Sequence, residues 1–404
     1  MGTTLIARTA LAFGLLFILG ACSSASEDPP ATDPAVVPTP GPGGTTTPPP
    51  GPTSTGTTTP QGPVLTGVRV HYASSPANPG AMTLRGSAGP LSWDKSIPIA
   101  TTGPGLYTWQ IEGAKTDLEL KPMLGDSWSR GPNYTVKVGQ TIDIYPHFIE
   151  RRGTYTKKYP SFVSQKLPST RGVWAYLPAA YIENTEARLG VLYMHDGINL
   201  FDGSLAFGGN EWKVDETLDA GNEDGTIRDT IVVGIEATAN RTTELTPTSG
   251  DVDKYVAMMV DEIKPMIDKD LRTAAGREQT AIMGSSLGGL ASAWAGVHRA
   301  DVFGLVGQMS PSTWWDNTMI LGEVSSLQTR PAKPLRVYVD SGDSGVSNDD
   351  VTNTKELAAR YRTVGYSDSK DLLYVVQPGA QHNELYWSQR LPAALHFLLG
   401  ARPN

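Results

Sequence analysis

The sequence predicts an α/β fold on a mostly parallel sheet, preceded by a small all-β domain. Three observations predict it. Short runs of alternating hydrophobicity, separated by turn clusters, fill residues 64–150. From residue 161 the runs become almost continuously apolar and alternate with helical stretches. One such strand runs through "GSSLG" directly into an alanine-rich helix. The first pattern belongs to strands with one wet face, the second to parallel strands covered on both faces.

Composition narrows the classes before any motif is read. The chain has 404 residues, 39% of them hydrophobic and 18% charged, which leaves enough apolar material for a sizeable core. A net charge of −8 argues against a phosphate-backbone partner, so no nucleic acid is expected. The single cysteine, Cys22, excludes an intramolecular disulfide.

At the N-terminus, Arg8 precedes the apolar stretch "LAFGLLFILG", which has signal-peptide length and is too short for a spanning helix. It runs into "LGAC", which resembles the bacterial lipobox, a signal ending at a cysteine that receives lipid. That resemblance implies residues 1–22 as a lipoprotein signal with Cys22 as the lipidated residue. Ser23, where an inner-membrane protein usually carries aspartate, implies the outer membrane or cell surface. Acyl chains contribute about 0.8 kcal/mol per buried CH₂. Contact with the membrane is expected through this anchor only. Residues 23–63 are Pro, Thr, Gly and Ser with almost no large apolar residue, a composition that cannot bury enough surface to fold. Extended at about 3.1 Å per residue, such a linker reaches on the order of 100 Å.

In the all-β region the strands "VRVHY", "LYTWQIEG", "DLELKPML", "YTVKV" and "TIDIYPHF" are divided by "SSPANPG" and "TTGPG". Their spacing predicts a small sandwich. The order "LRGSAGPLSWD", "YTWQIEG", "LELKPMLGDSWSRGPNYTV" resembles starch-binding and related carbohydrate-binding modules. Trp93, Trp109, Trp128 and Tyr134 could then stack on sugar rings, although strand aromatics more often fill the core.

In the larger region the strands are "LGVLYMHDG", "DTIVVGIEA", "QTAIMG", "FGLVGQMS", "PLRVYVDSG" and "DLLYVVQPG", after a strand pair in "VSQKLPSTRGVWAYLP". Parallel sheets carry their chemistry at the carboxyl ends of the strands. There "GSSLG" fits G-x-S-x-G one way, with Ser286 as nucleophile between Gly284 and Gly288. Side chains at the glycine positions would strike neighbouring backbone, and the helix start offers the Leu287 N–H to an oxyanion. Serine needs a base. Of six histidines, His382 in "QPGAQHNELYW" follows the last strand and precedes the last helix. The acid must come from the loop after "LRVYVDSG", where Asp340, Asp343, Asp349 and Asp350 compete. Asp340 ends the strand. The acid's job is to fix the imidazole tautomer and stabilise the imidazolium.

With "GVWAYLPAAY", "VLYMHDGINLF", "GSSLGG" and "GAQHNELYWSQRLP", residues 161–404 resemble the esterase family of α/β-hydrolases that includes ferric enterobactin esterases, feruloyl esterases and esterase D. The resemblance implies an α/β-hydrolase fold and a serine carboxylic-ester hydrolase. It favours Asp349 as the acid, with Asp343 the runner-up. It also implies a second oxyanion N–H at Gly197 or Ile198, and substrate contacts from Trp212, Arg241 and Glu244. No cofactor is expected, and no metal either, because His195 and Asp196 are adjacent on a strand and no ligand spacing such as H-E-x-x-H occurs. The expected partner of this monomer is a small-molecule or polysaccharide-linked ester. An acyltransferase on the same triad, and a carbohydrate-binding surface lipoprotein whose hydrolase has lapsed, are the competing readings.

Overall fold

The computed structural model describes residues 64–74, 80–248, 250–329 and 331–400. Cys22, the signal and the 23–63 linker lie outside them. No helix among the described residues is long and apolar enough to cross a membrane.

The N-terminal region forms two sheets. The first holds β1 (Leu65–His71), β4 (Ala100–Gly103), β5 (Leu106–Glu112) and β9 (Thr141–Ile144), in the order β4-β5-β1-β9. The second holds β2 (Met82–Gly86), β3 (Ile97–Pro98), β6 (Leu118–Leu124), β7 (Ser127–Trp128) and β8 (Tyr134–Val136), with β2 and β6 at its centre. Val68 and Val70 of β1 share one apolar cluster with Leu84 of β2 and Leu118 and Leu120 of β6, so the two sheets bury a common core. Trp109 and Tyr134 pack against that core. Trp128 does not. It is exposed and sits 6.4 Å from the Trp93 ring, with the Arg85 guanidinium over its face.

The second region is built on eight strands: β10 (Thr154–Val163), β11 (Thr170–Leu177), β12 (Gly190–His195), β13 (Thr230–Ile235), β14 (Thr280–Ser286), β15 (Leu305–Pro311), β16 (Arg336–Gly342) and β17 (Leu372–Gln377). Their order is β10-β11-β13-β12-β14-β15-β16-β17, antiparallel from β10 to β13 and parallel beyond. The architecture is α/β, on a mostly parallel sheet. β10 starts at Thr154, ahead of the expected boundary at 161. Its sequence, "TYTKKYPSFV", lacks an apolar run because the strand is the exposed edge of the sheet, where lysines discourage further pairing.

The continuous apolar strands have the expected cause. Val191, Tyr193, Ile231, Val233 and Ile282 enter the core beneath the helices Val252–Met258 and Leu287–His298. Their neighbours Leu192, Met194, Val232, Ala281 and Met283 enter the opposite core, against Val214–Asp224 and Glu384–Leu399. Chain direction across the sheet reverses at β12: β13 pairs on one side of it and β14 on the other. A crevice opens at such a switch point.

The two regions meet at the short helix Ala179–Glu183. Buried Glu183 accepts the N–H groups of Phe148, Ile149 and Glu150 and the Tyr72 hydroxyl, at 2.7–3.0 Å. Asn184 donates to the carbonyls of His71 (2.8 Å) and Pro146 (2.9 Å).

Candidate active site

Ser286 is the last residue of β14, and the helix Leu287–His298 starts immediately after it. Its backbone is held at φ 57°, ψ −126°, a left-handed conformation that costs a non-glycine residue on the order of 1–3 kcal/mol. The turn is tight enough that a Cβ on Gly284 would lie 2.5 Å from the His195 ring and 2.9 Å from the Gly288 carbonyl carbon. His195 is the floor of the turn. It is buried, bonded to Tyr255 Oη (2.9 Å) and Ser292 Oγ (3.1 Å), and burial pushes its pKa down to about 4. Asp196 is engaged elsewhere, by Arg241, so the adjacent pair does not converge on a common point.

His382 stands in the loop between β17 and the helix Glu384–Leu399. Its Nδ1 lies 2.6 Å from Asp349 Oδ1. Asp349 has no exposed side-chain surface, whereas His382 keeps about a third of its own. The second carboxylate oxygen of Asp349 accepts the Gly342 N–H and the Ser310 hydroxyl (2.7 Å). Burial alone would raise this carboxyl. The hydrogen bonds from His382, Ser310 and Gly342 overcome it and hold Asp349 below the usual carboxylate range. The competing aspartates have other partners. Asp343 caps the Gly379 N–H (2.6 Å), Asp350 accepts the Trp314 N–H (3.0 Å), and Asp340 pairs with Arg390 Nε (2.9 Å).

Two serines that the sequence reading passed over tie these parts together. At the end of β15, Ser310 donates to Asp349 while accepting from Trp387 Nε1 (3.0 Å) and Arg390 Nη2 (2.7 Å). Ser312 places its Oγ 3.4 Å from Ser286 Oγ and donates its N–H to the Ser286 carbonyl (2.9 Å). Among the described residues the Ser286 hydroxyl bonds to Ser312 and not to His382. Nucleophile–base bonds are often loose before substrate binds. Buried Arg390 bridges Asp340 and Ser310 and comes within 3.8 Å of Asp349. The Trp387 ring meets His382 edge-on at 5.1 Å.

Beside the Ser286 turn, β12 ends in a 3-10 turn at Gly197–Asn199. Gly197 is pressed on β13, where an added Cβ would lie 2.6 Å from the Gly234 carbonyl carbon. The Asn199 N–H is spent on Asp196 (2.9 Å), which leaves Gly197 and Ile198 as the N–H groups of this turn to weigh. Leu287 provides the first N–H of the helix after Ser286. Arg241 holds the turn from one side by a two-pronged bond to Asp196, at 2.6 and 2.7 Å. Glu384 holds it from the other, accepting from Asn199 Nδ2 at 3.4 Å. Burial, with the charge of Asp196 nearby, pushes the Glu384 carboxyl up.

The expected substrate contacts need correction. Trp212 is 2% exposed and packs against Trp387 in the core (ring centroids 5.8 Å apart), so it supports the histidine's neighbour and does not line a cleft. Glu244 is buried, and its Oε1 accepts from Arg171 (2.8 Å), Thr238 (3.0 Å) and Ser169 (3.2 Å). It is an internal counter-ion. Arg241 remains at the site but spends its guanidinium on Asp196.

One acidic trio among the described residues, Glu211, Asp215 and Glu216, brings its carboxylate oxygens within 4.8 Å of one another. Burial and the Glu216 charge push Asp215 up to about 7, and burial likewise raises Glu211. A retained proton relieves such crowding without a cation.

Residues 164–398 match the family described as "Putative esterase". An uncharacterized Bacillus subtilis protein, YbbA, is 23% identical over 256 residues, covering 59% of this chain and 96% of that protein. The iron(III) salmochelin esterase of an Escherichia coli O6:H1 strain is 26% identical over 242 residues, covering 57% of this chain and 55% of that protein. The solved structure of the Shigella flexneri enterobactin esterase FES with enterobactin shares 16% identity at a TM-score of 0.49. It covers 81% of this chain, which covers 90% of it.

Proposed function

The chain belongs to this esterase family, and on that premise we propose that it is a serine carboxylic-ester hydrolase working through an acyl-enzyme. The observation that carries the reading is the 2.6 Å bond between His382 Nδ1 and buried Asp349, at the same sheet edge as the strained Ser286 turn.

In the proposed reaction His382 Nε2 takes the Ser286 proton as Oγ attacks the ester carbonyl carbon. The carbonyl electron pair moves to oxygen, which rests on the Leu287 N–H and on that of Gly197 or Ile198. As the tetrahedral adduct collapses, the alkoxy group leaves with the proton from His382. Water then repeats the sequence: His382 takes its proton, hydroxide adds to the acyl carbon, and Ser286 departs carrying that proton. Asp349 remains ionised throughout and stabilises the imidazolium. An acceptor alcohol in place of water would make the same machinery an acyltransferase.

The finer reading is a surface esterase tethered through Cys22, with the N-terminal region a carbohydrate-binding-like sandwich. Its exposed Trp128, 6.4 Å from the half-buried Trp93 ring, supports a preference for sugar-linked esters. Initial rates on a panel of carboxylic esters test the activity. Ser286→Ala is expected to lower kcat by about 10⁴–10⁶. Undiminished hydrolysis by that variant would refute the assignment.

A further inference from the structure

Among the described residues, three hollows bear on this question, and one of them follows the strand next to the one that ends in Ser286. A hollow of about 840 Å³ lies between the N-terminal region and Leu189, Gly190 and Gln279, at the starts of the parallel strands. Another, of about 690 Å³, lies between Ile227, Arg336 and Phe397, also at strand starts. The third, about 470 Å³, is lined by Thr248, Trp314, Trp315 and Asp316. It follows the carboxyl end of β15, two residues beyond the Ser312 hydroxyl that touches Ser286.

Trp314 has no structural duty that explains its exposure. Its side chain is half exposed, in a chain whose Trp212 and Trp387 are buried. Yet its position is fixed: its backbone N–H donates to Asp350 Oδ2 (3.0 Å), one residue from the acid of the proposed triad, and its ring leans on Trp315 at 5.6 Å. Burying a flat aromatic face is favourable and stacking adds to it, so a half-exposed indole two residues along the chain from Ser312 is an unspent binding surface. The same wall carries polar groups. Thr248 and Asp316 offer a hydroxyl and a carboxylate, and the buried Trp315 indole N–H has no partner among the described residues.

Resting on the esterase reading, we infer that this pocket is a ring-binding subsite. Trp314 is its platform, and it takes a hydroxylated six-membered ring carried on one side of the scissile ester. The face of the ring covers the indole and its hydroxyls meet Thr248 and Asp316. A phenolic acyl group and a pyranose alcohol share this chemistry and would lie on opposite sides of the carbonyl.

The test uses the full chain with three probes: methyl 4-hydroxycinnamate, a mono-acetylated methyl xylopyranoside, and ethyl butanoate, which has no ring. The readout is each ring ester's kcat/KM relative to that of ethyl butanoate. Trp314→Ala is expected to lower that ratio at least tenfold for one ring ester, chiefly through KM, and Trp314→Phe to restore most of it. The ester that responds identifies which ring the pocket takes. Ratios unchanged for both ring esters, or wild-type hydrolysis of ethyl butanoate alone, would overturn the subsite while leaving the esterase intact. A wild-type chain that hydrolyses none of the three overturns the esterase reading and the subsite with it.

Discussion

Asp349 and Glu244 are two carboxylates with almost no exposed side-chain surface, 0% and 4%, in short helical turns that follow parallel strands at the same end of the sheet. Both accept hydroxyl hydrogen bonds, Asp349 from Ser310 and Glu244 from Ser169 and Thr238. The difference lies in the cation each one faces. Glu244 is matched to Arg171, whose side chain is fully buried and cannot release a proton. Asp349 faces an imidazole that reaches the surface and can gain or lose one. A buried carboxylate therefore takes its role from its partner: one neutralises a charge sealed inside the fold, the other faces a group whose charge the proposed reaction would create.

Replacing each carboxylate should break the pair apart. Asp349→Asn keeps the shape but loses the charge that stabilises the imidazolium, so kcat should fall by about 10³–10⁴. Because Asn can still accept from Ser310, the urea midpoint should stay near that of the parent. Glu244→Gln should do the reverse. It strands the Arg171 guanidinium and should cost about 3–5 kcal/mol of stability, while kcat per folded molecule stays within a few-fold. Urea unfolding and steady-state kinetics on both variants decide this. A Glu244→Gln protein of normal stability and lost activity would reverse the assignment.

His195 sharpens the comparison as a buried group kept neutral. Its pKa is pushed down to about 4 from an ordinary 6.5. As pH falls from about 6.5 toward 4, the unfolded chain gains a proton that the native state refuses, so native stability drops. The full loss is on the order of 3 kcal/mol. Asp215 and Asp229, pushed up to about 7, act with the opposite sign, because the native state keeps protons that the unfolded chain has shed. The clean readout is thus the difference between wild type and His195→Asn, measured by urea unfolding at pH 7 and pH 4.5. The variant should lose less stability on acidification. Equal losses would show that His195 is protonated in the native state.

Much of the frame was legible because it rests on local signals. The parallel strands β12 to β17 declare themselves as apolar runs, and Ser286 by glycines whose side chains would collide with His195 and Gly288. His382 is marked by its place between the last strand and the last helix. What sequence left open is spatial. Asp340 lies within β16 and three more aspartates follow it closely, and only the folded loop shows that Asp349 turns to His382 while Asp343 turns to Gly379. Trp212 and Glu244 were expected at a cleft, yet sequence does not say which face of a loop turns inward. Ser310, Ser312 and Arg390 were missed because "GQMSPS" reads as an apolar strand end and Arg390 as one more helix residue. The available signal was position: a serine pair at the carboxyl end of the strand next to the one that ends in Ser286.

The most direct test of the central claim is mass analysis of the chain after reaction with a fluorophosphonate. The account predicts a single phosphonyl adduct on Ser286, formed rapidly by the wild type, slowly by Asp349→Asn and not at all by Ser286→Ala. An adduct on another residue, or ester hydrolysis that persists once Ser286 is fully phosphonylated, would contradict it.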